Sequence, residues 1–191
     1  MKRVAVFGAT GGLGRAFCDF LDSYQIRKYG RTGGSKIYEI TAFARYDISS
    51  EESNHVRGCD LIDPMQLSVH LESLAKWKPD LVIHAAGINN ESKPMEMFSI
   101  NVVAAKEMYD RLDARFLFVS SICGTEASQY SGPMYTAVKH AQVGLHRQLV
   151  KDGSKQVVTL MPGPFPSKMT VNDPIKCMHP LTIAEIGMSH I

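Results

Sequence analysis

A glycine-rich turn early in the sequence constrains the fold of this chain more than any other feature. The apolar residues 2–7 run directly into the segment Gly-Ala-Thr-Gly-Gly-Leu-Gly at 8–14, and a helical spacing of apolar residues follows. Glycine permits a tight turn and a close approach of the backbone to a pyrophosphate, while the helix N-terminus offers free N–H groups. Glycines also make simple tight connections, but this position after a first strand favours a dinucleotide-binding turn. The candidate cofactor-binding residues of the turn are Gly8, Thr10, Gly11, Gly12, Leu13 and Gly14.

The rest of the chain alternates between short apolar runs and helical patterns. Strands are predicted at 2–7, 37–44, 53–59, 81–86, 115–120 and 156–161, and helices at 12–24, 64–76, 94–112 and 134–151. Strands that are apolar along their whole length are typical of parallel sheets covered on both faces, and the connections between them are right-handed. We therefore predict an α/β fold with a doubly wound, Rossmann-like parallel sheet of about six strands in three layers. A single catalytic domain is expected at 1–170, with a short C-terminal tail at 171–191.

The composition narrows the possible partners. The net charge is +2 over 191 residues, which argues against nucleic acid or an anionic membrane as a partner. No apolar run approaches the ~18 residues of a membrane span. The four cysteines and seven histidines show no metal-ligand spacing, so the histidines are expected on the surface or hydrogen-bonded in the core. Scattered thiols favour a reducing compartment, and we expect a cytoplasmic protein without a metal.

The end of the second predicted strand bears on the choice of cofactor. Arg45 follows that strand directly, and an arginine there accommodates the 2′-phosphate of NADP, whereas an acidic residue binds the 2′-hydroxyl of NAD. Asp47 nearby keeps NAD open as an alternative. The basic loop at 27–36 precedes the strand, so it lies at the opposite edge of the sheet and is interpreted as solvated. We predict NADP, with NAD less favoured.

A tyrosine and a lysine four residues apart are the main candidates for chemistry. Tyr135 and Lys139 share one face of the predicted helix at 134–151. A nearby ammonium favours the phenolate, so Lys139 is expected to lower the pKa of Tyr135. Such a pair can move a proton to or from an oxygen while a nicotinamide moves a hydride. Ser121 ends the preceding strand, 14 residues earlier, and can hydrogen-bond the same reacting oxygen.

The order and spacing of these motifs resemble those of the short-chain dehydrogenase/reductase family over residues 1–170. The segment His-Ala-Ala-Gly at 84–87 stands where the family has Asn-Asn-Ala-Gly, and Asp60 resembles the aspartate that holds the adenine. Pro162-Gly163 followed by Ser167 is similar to the segment that holds the nicotinamide carboxamide. Beyond the glycine turn, the cofactor-binding positions that the resemblance implies are Arg45, Asp60, Leu61, Ala85, Ala86, Gly87, Tyr135, Lys139, Pro162, Gly163 and Ser167.

The same resemblance implies a role for each catalytic candidate. Tyr135 would act as the general acid/base, and Lys139 would lower its pKa and bind the nicotinamide ribose. Ser121 would orient the substrate carbonyl. Asn101 matches the family's asparagine that anchors a proton-relay water. The reaction expected is NADP-dependent hydride transfer between the nicotinamide and a carbonyl or hydroxyl group of a small substrate.

Two departures from the family pattern leave alternatives open. The stretch between Gly87 and Asn101 is short, which resembles the extended branch of the family with its nucleotide-sugar epimerases and dehydratases. The segment after Pro162 is also short, so the substrate pocket is expected to be open or completed by another subunit. A cofactor-binding regulatory protein with little turnover is therefore a further alternative. By analogy with the family, we expect a homodimer or homotetramer formed through the helices at 94–112 and 134–151.

Overall fold

The computed structural model describes residues 1–29, 37–47, 56–129, 131–166 and 178–191. Within them the chain forms one parallel sheet of six strands in the order β3-β2-β1-β4-β5-β6. The strands are β1 (Lys2–Phe7), β2 (Tyr38–Ala44), β3 (Val56–Gly58), β4 (Leu81–His84), β5 (Arg115–Val119) and β6 (Val157–Leu160). The predicted doubly wound α/β fold is thereby confirmed.

Helices cover both faces of this sheet. They are α1 (Gly12–Tyr29), α2 (Pro64–Trp77), α3 (Pro94–Phe98), α4 (Ala104–Arg111), α5 (Pro133–Asp152) and α6 (Pro180–Ser189), with a π-helical turn at Ser99–Val103 and a 3-10 turn at Ile122–Gly124. None of the described helices is long and apolar enough to cross a membrane.

Alternation of side chains along β1 divides the core between the two faces. Val4 and Val6 point towards α1 and α6, where they pack with Phe17 and Ile183. Ala5 and Phe7 point to the other face, whose core is formed with α2, α4 and α5. Successive side chains of a strand face opposite sides of the sheet, so four consecutive residues of β1 pack against both helical layers.

The edge at which the strands end positions the site. The strand order reverses between β1 and β4, and Phe7 of β1 is in register with both Phe43 of β2 and His84 of β4. The ends of three adjacent strands therefore lie at one level. In open α/β sheets a ligand binds in the crevice beyond the carboxyl ends of the strands at this reversal point.

Several predicted boundaries need correction. The helix predicted at 94–112 is divided by the π-helical turn, and α1 continues past residue 24 to Tyr29. β4 ends at His84, so residues 85–87 form a loop instead of the end of a strand. α6 packs against α1 and buries Ile183 and Ala184. The division expected at residue 170 falls outside the described residues, and the domain boundary stays a prediction.

Candidate active site

The glycine turn is pressed against the loop that follows β4. Gly8 has a φ of +84°, and a Cβ atom at this position would lie 2.6 Å from the Cα of Ala86. The N–H groups of Gly8 and Ala9 both donate to the carbonyl oxygen of Phe43, at 2.9 Å. Gly14 lies behind the turn, where a Cβ would overlap the carbonyl oxygen of Gly8. The turn is therefore held by backbone contacts that only glycine permits at 8 and 14.

A cleft of about 730 Å³ runs from this turn along the strand ends to α5. It is lined by most of the predicted cofactor-binding residues: Gly8, Thr10, Gly11, Gly12, Leu13, Arg45, Asp60, Leu61, Ala85, Ala86, Gly87, Tyr135, Lys139, Pro162 and Gly163. Ser121 lines the cleft as well, whereas Gly14 supports it from behind. Ser167 and most of the basic loop at 27–36 lie outside the described residues. Residues from separated segments of the sequence thus line one continuous cleft.

The two charged residues of the predicted adenine end lie close together. The Nε of Arg45 is 3.8 Å from Oδ1 of Asp60. The Asp60 carboxylate also accepts a hydrogen bond from the N–H of Ile62 at 3.1 Å, which orients it locally. Arg45 is exposed at the edge of the cleft, so its guanidinium can turn towards an anionic group.

Tyr135 and Ser121 meet at the other end of the cleft. The Ser121 hydroxyl hydrogen-bonds the phenol oxygen of Tyr135 and also accepts from the N–H of Cys123 at 3.2 Å, as the cap of the 3-10 turn. Burial raises the pKa of Tyr135, and the hydrogen bond from Ser121 lowers it by less. The pKa of Tyr135 is therefore raised overall and not lowered as expected, because desolvation of the phenolate outweighs the hydrogen bond from Ser121.

Lys139 is only 3% exposed and turns its ammonium towards two amide oxygens. Its Nζ donates to Oδ1 of Asn101 at 2.7 Å and to Oε1 of Gln142 at 2.9 Å. It lies 5.6 Å from the centroid of the Tyr135 ring. Burial lowers the pKa of Lys139 to about 7. The four catalytic candidates Ser121, Tyr135, Lys139 and Asn101 therefore form one connected group.

The π-helical turn explains the position of Asn101. The turn inserts an extra residue into the helix, and Asn101 within it is completely buried. Its Nδ2 donates to the carbonyl oxygen of Met97 at 2.7 Å, which leaves Oδ1 facing Lys139. Gly87 closes the same corner, where a Cβ would lie 3.3 Å from that Oδ1 atom.

Sequence reasoning missed Glu91 and Gln142. The carboxylate of Glu91 accepts hydrogen bonds from the N–H groups of Met134 and Tyr135, at 3.0 and 2.8 Å, and so caps α5. No local signal in the sequence connects Glu91 with a helix more than 40 residues away. Gln142 lies three residues after Lys139 on the same helix, and a polar residue on that buried face was a signal that the sequence offered.

Two histidines also depart from expectation. His84 and His146 are buried, and in the described part of the chain neither ring nitrogen has a partner at hydrogen-bonding geometry. His146 stacks on Phe118 at 4.3 Å between ring centroids, and His84 meets the edge of the same ring system at 6.1 Å. Burial lowers the pKa of both imidazoles to about 3, opposed at His84 only by the nearby backbone of Ile100. Among the residues described, no group of three histidine, cysteine or acidic side chains is placed to hold a metal ion.

Solved structures share this fold. A short chain dehydrogenase from Burkholderia cenocepacia J2315 in complex with NADP has a TM-score of 0.77 at 18% identity, covering 99% of this chain and 85% of that one. The Pseudomonas aeruginosa RhlG/NADP active-site complex has a TM-score of 0.78 at 19% identity, covering 98% and 88%. The 3-alpha-hydroxysteroid dehydrogenase from Pseudomonas sp. B-0831 complexed with NADH has a TM-score of 0.75 at 15% identity, covering 98% and 88%.

The amino-acid sequence itself identifies the family. No curated protein matches the chain significantly. The sequence profile described as short chain dehydrogenase matches residues 2–176, which is most of the chain, and confirms the resemblance seen in the motifs. The chain therefore belongs to the short-chain dehydrogenase family of oxidoreductases.

Proposed function

We propose that this protein transfers a hydride between NADP(H) and the carbonyl or hydroxyl group of a small molecule, with Tyr135 as the general acid/base. One observation carries the proposal: the hydroxyls of Tyr135 and Ser121 share a hydrogen bond at one end of the cleft that begins at the glycine turn. The ammonium of Lys139 stands behind the tyrosine ring. A carbonyl oxygen placed beside the two hydroxyls would meet a proton donor and an orienting group together.

The cleft fits a nicotinamide dinucleotide. Its volume of about 730 Å³ lies within the ~300–1,000 Å³ usual for ligand sites. The lack of side chains at Gly8 and Gly87 lets the glycine turn and the loop after β4 pack closely at the cleft, since a Cβ at either position would meet backbone or Asn101. The N-terminus of α1 points its free N–H groups at the place where a pyrophosphate would lie. When bound, the nicotinamide would supply or accept the hydride.

The residues of this chain would handle the proton. Burial raises the pKa of Tyr135, so its hydroxyl is protonated at neutral pH and can donate to the oxygen of a carbonyl that is being reduced. Ser121 would hold the same oxygen through its hydroxyl. The ammonium of Lys139 would stabilise the phenolate that remains. Asn101 would act on Lys139 through the hydrogen bond between them.

NADP is proposed over NAD because of Arg45. It is the exposed cation at the adenine end of the cleft, and its neighbour Asp60 is already oriented by the backbone. Two of the solved structures above carry NADP and one carries NADH, so likeness alone does not decide between them. The free thiols of Cys18, Cys59 and Cys123 support the proposal of a reducing, cytoplasmic compartment.

The proposal is tested by following NADPH oxidation over a panel of small aldehydes and ketones with wild type and Tyr135→Phe. We expect the variant to lose at least ~100-fold in kcat/KM, the usual contribution of a general acid/base, and to retain its affinity for NADPH by calorimetry. Tyr109→Phe is the matched control, because it also removes one tyrosine hydroxyl, which hydrogen-bonds Asp152 and Ser154 away from the cleft.

The outcomes separate the alternatives. Turnover that is unchanged in Tyr135→Phe would remove the tyrosine from the mechanism. Tight NADPH binding without turnover on any carbonyl would favour the regulatory protein. A sugar nucleotide that raises the melting temperature and turns over without net cofactor oxidation would favour the epimerase or dehydratase.

A further inference from the structure

Most of the buried polar side chains that the structure describes lie around Lys139. In the part of the chain that the structure describes, the buried polar or charged residues are His84, Asn101, Ser120, Lys139, Gln142 and His146. Three of them, Lys139, Gln142 and His146, are spaced by three and four residues and share one face of α5. A helix face that only packs against a sheet is normally apolar. Burying these polar groups costs desolvation free energy, and we therefore expect this face to serve a function.

Lys139 is a buried cation without an acidic partner. In the described residues its ammonium forms no ion pair, and its two acceptors are the neutral oxygens of Asn101 and Gln142. The titratable groups around it are Tyr135 on its own helix, Cys123 of the 3-10 turn, and the imidazoles of His84 on β4 and His146 on α5. None of these four groups is a carboxylate. A buried ammonium stays charged only where hydrogen bonds replace its lost hydration.

The orientation of the Gln142 amide is determined by its second hydrogen bond. Its Nε2 donates to the carbonyl oxygen of Val119, the last residue of β5, at 3.2 Å. In the reverse orientation, the NH₂ group of Gln142 would point at the ammonium of Lys139, and the amide oxygen would point at the carbonyl oxygen of Val119. Both contacts would be repulsive, so the backbone of β5 aims Oε1 at Lys139.

We propose that Gln142 is a positioning residue, which holds the Lys139 ammonium beside Tyr135 and keeps it protonated in the buried site. Asn101 and Gln142 approach the ammonium from two sides and use two of its three hydrogens, while Lys139 also lines the cleft. The consequence for catalysis rests on the proposed function, since Lys139 has to be charged to stabilise the Tyr135 phenolate. The hydrogen bond itself can be tested without cofactor or substrate.

The test is an NMR titration of Lys139 in protein labelled at the lysine side chains, with the signal assigned by Lys139→Met. Gln142→Met has a similar length and removes the acceptor. We expect it to lower the pKa of Lys139 by about 1 unit, a tenfold loss in the ratio of ammonium to amine. Gln148→Met is the matched control, because Gln148 is exposed on the same helix, and we expect it to leave the titration unchanged.

Gln142→Glu keeps the inference testable if Gln142→Met does not fold. A carboxylate at the same distance would raise the pKa of Lys139 instead. A Lys139 titration that is the same in wild type and in the folded variants at 142 would overturn the role of Gln142. Where turnover is found, Gln142→Met is also expected to lower kcat at neutral pH and to leave the cofactor affinity within about twofold. Absence of turnover in wild type would instead count against the proposed function and would leave the titration result standing.

Discussion

At the scale of single residues, backbone contacts decide which substitutions the site tolerates. Gly8 combines a left-handed φ of +84° with a Cβ position 2.6 Å from Ala86 Cα. A side chain there is strained and overlaps backbone that cannot move without shifting β4. Gly144 on the exposed face of α5 is the opposite case, because a methyl group added there would meet no described atom within 4 Å beyond its own stretch of helix.

We expect Gly8→Ala to destabilise the fold by about 3 kcal/mol, from the left-handed backbone and the overlap together. Gly144→Ala serves as the control and should stabilise it by about 0.5–1 kcal/mol, because alanine is the better helix former. Urea denaturation of both variants measures the two changes. Equal stability of Gly8→Ala and wild type would contradict the close contact between the turn and the loop after β4.

Arg45 is the residue that we expect to discriminate between cofactors. A charge-assisted hydrogen bond to a 2′-phosphate contributes about 1.5–3 kcal/mol, so Arg45→Ala should weaken NADPH binding by roughly 10- to 100-fold and barely change NADH binding. Calorimetric titration of both nucleotides measures this, and Arg147→Ala, at an exposed position of α5, is the control. An equal loss for the two nucleotides would place the 2′-phosphate elsewhere.

At the scale of elements, α5 joins the stability of the fold to the site. The helix begins at Pro133, which is suited to a first helical position because its missing N–H is not needed there. Glu91, from the loop between β4 and α3, caps the next two N–H groups. The second of these belongs to Tyr135, so the cap also fixes the backbone that carries the phenol.

Glu91→Ala should therefore affect both stability and catalysis. The lost cap and the lost negative charge at the helix N-terminus cost about 1–2 kcal/mol together. We also expect a lower kcat, because Tyr135 loses a backbone anchor. Thermal unfolding and the carbonyl assay measure the two effects, and Glu185→Ala, at an exposed position of α6, is the control. A loss of stability without any change in kcat would limit Glu91 to a structural role.

At the scale of the whole molecule, the buried histidines make the stability of the fold depend on pH. The pKa of His146 is lowered from 6.5 to about 3, so between these values the unfolded chain binds a proton that the folded chain does not. Unfolding is favoured by proton uptake, and stability falls as the pH drops from 6.5 towards 3. The same sign holds for His84.

His146→Leu should flatten this dependence. Between pH 7 and pH 5, we expect the free energy of unfolding of the variant to rise relative to that of wild type by on the order of 1–2 kcal/mol. The reason is that the leucine has no proton to take up on unfolding. Urea titrations at a series of pH values measure the slope. His140→Leu, on the exposed side of the same helix, is the control. Parallel curves for wild type and His146→Leu would show that this imidazole titrates normally.

Assembly is the second prediction at this scale. We expect two copies to pair through the helices that follow β4 and β5, where Val103 and Val150 are exposed apolar residues. Static light scattering would then give twice or four times the mass of one chain. A monomer at micromolar concentration would contradict the prediction, and Val103→Lys with Val150→Lys would locate the interface if a dimer is found.

The sequence by itself determined the architecture and the cleft. The glycine turn, the strand alternation and the pair Tyr135 and Lys139 are short-range patterns, and the carboxyl ends of parallel strands necessarily meet at one edge. The family follows from the order of these motifs. Local spacing was enough because each of these features depends on residues that are close together in the sequence.

Only the tertiary structure decided what surrounds the lysine. The π-helical turn that turns Asn101 inward is invisible in an apolar pattern that continues through it. The contacts of Lys139 with Asn101 and of Tyr135 with Glu91 join residues that lie 38 and 44 positions apart. The rise in the pKa of Tyr135 likewise follows from burial, which no spacing records. These properties arise where elements distant in the chain pack together, because desolvation and hydrogen-bond geometry depend on all the neighbours of a group at once.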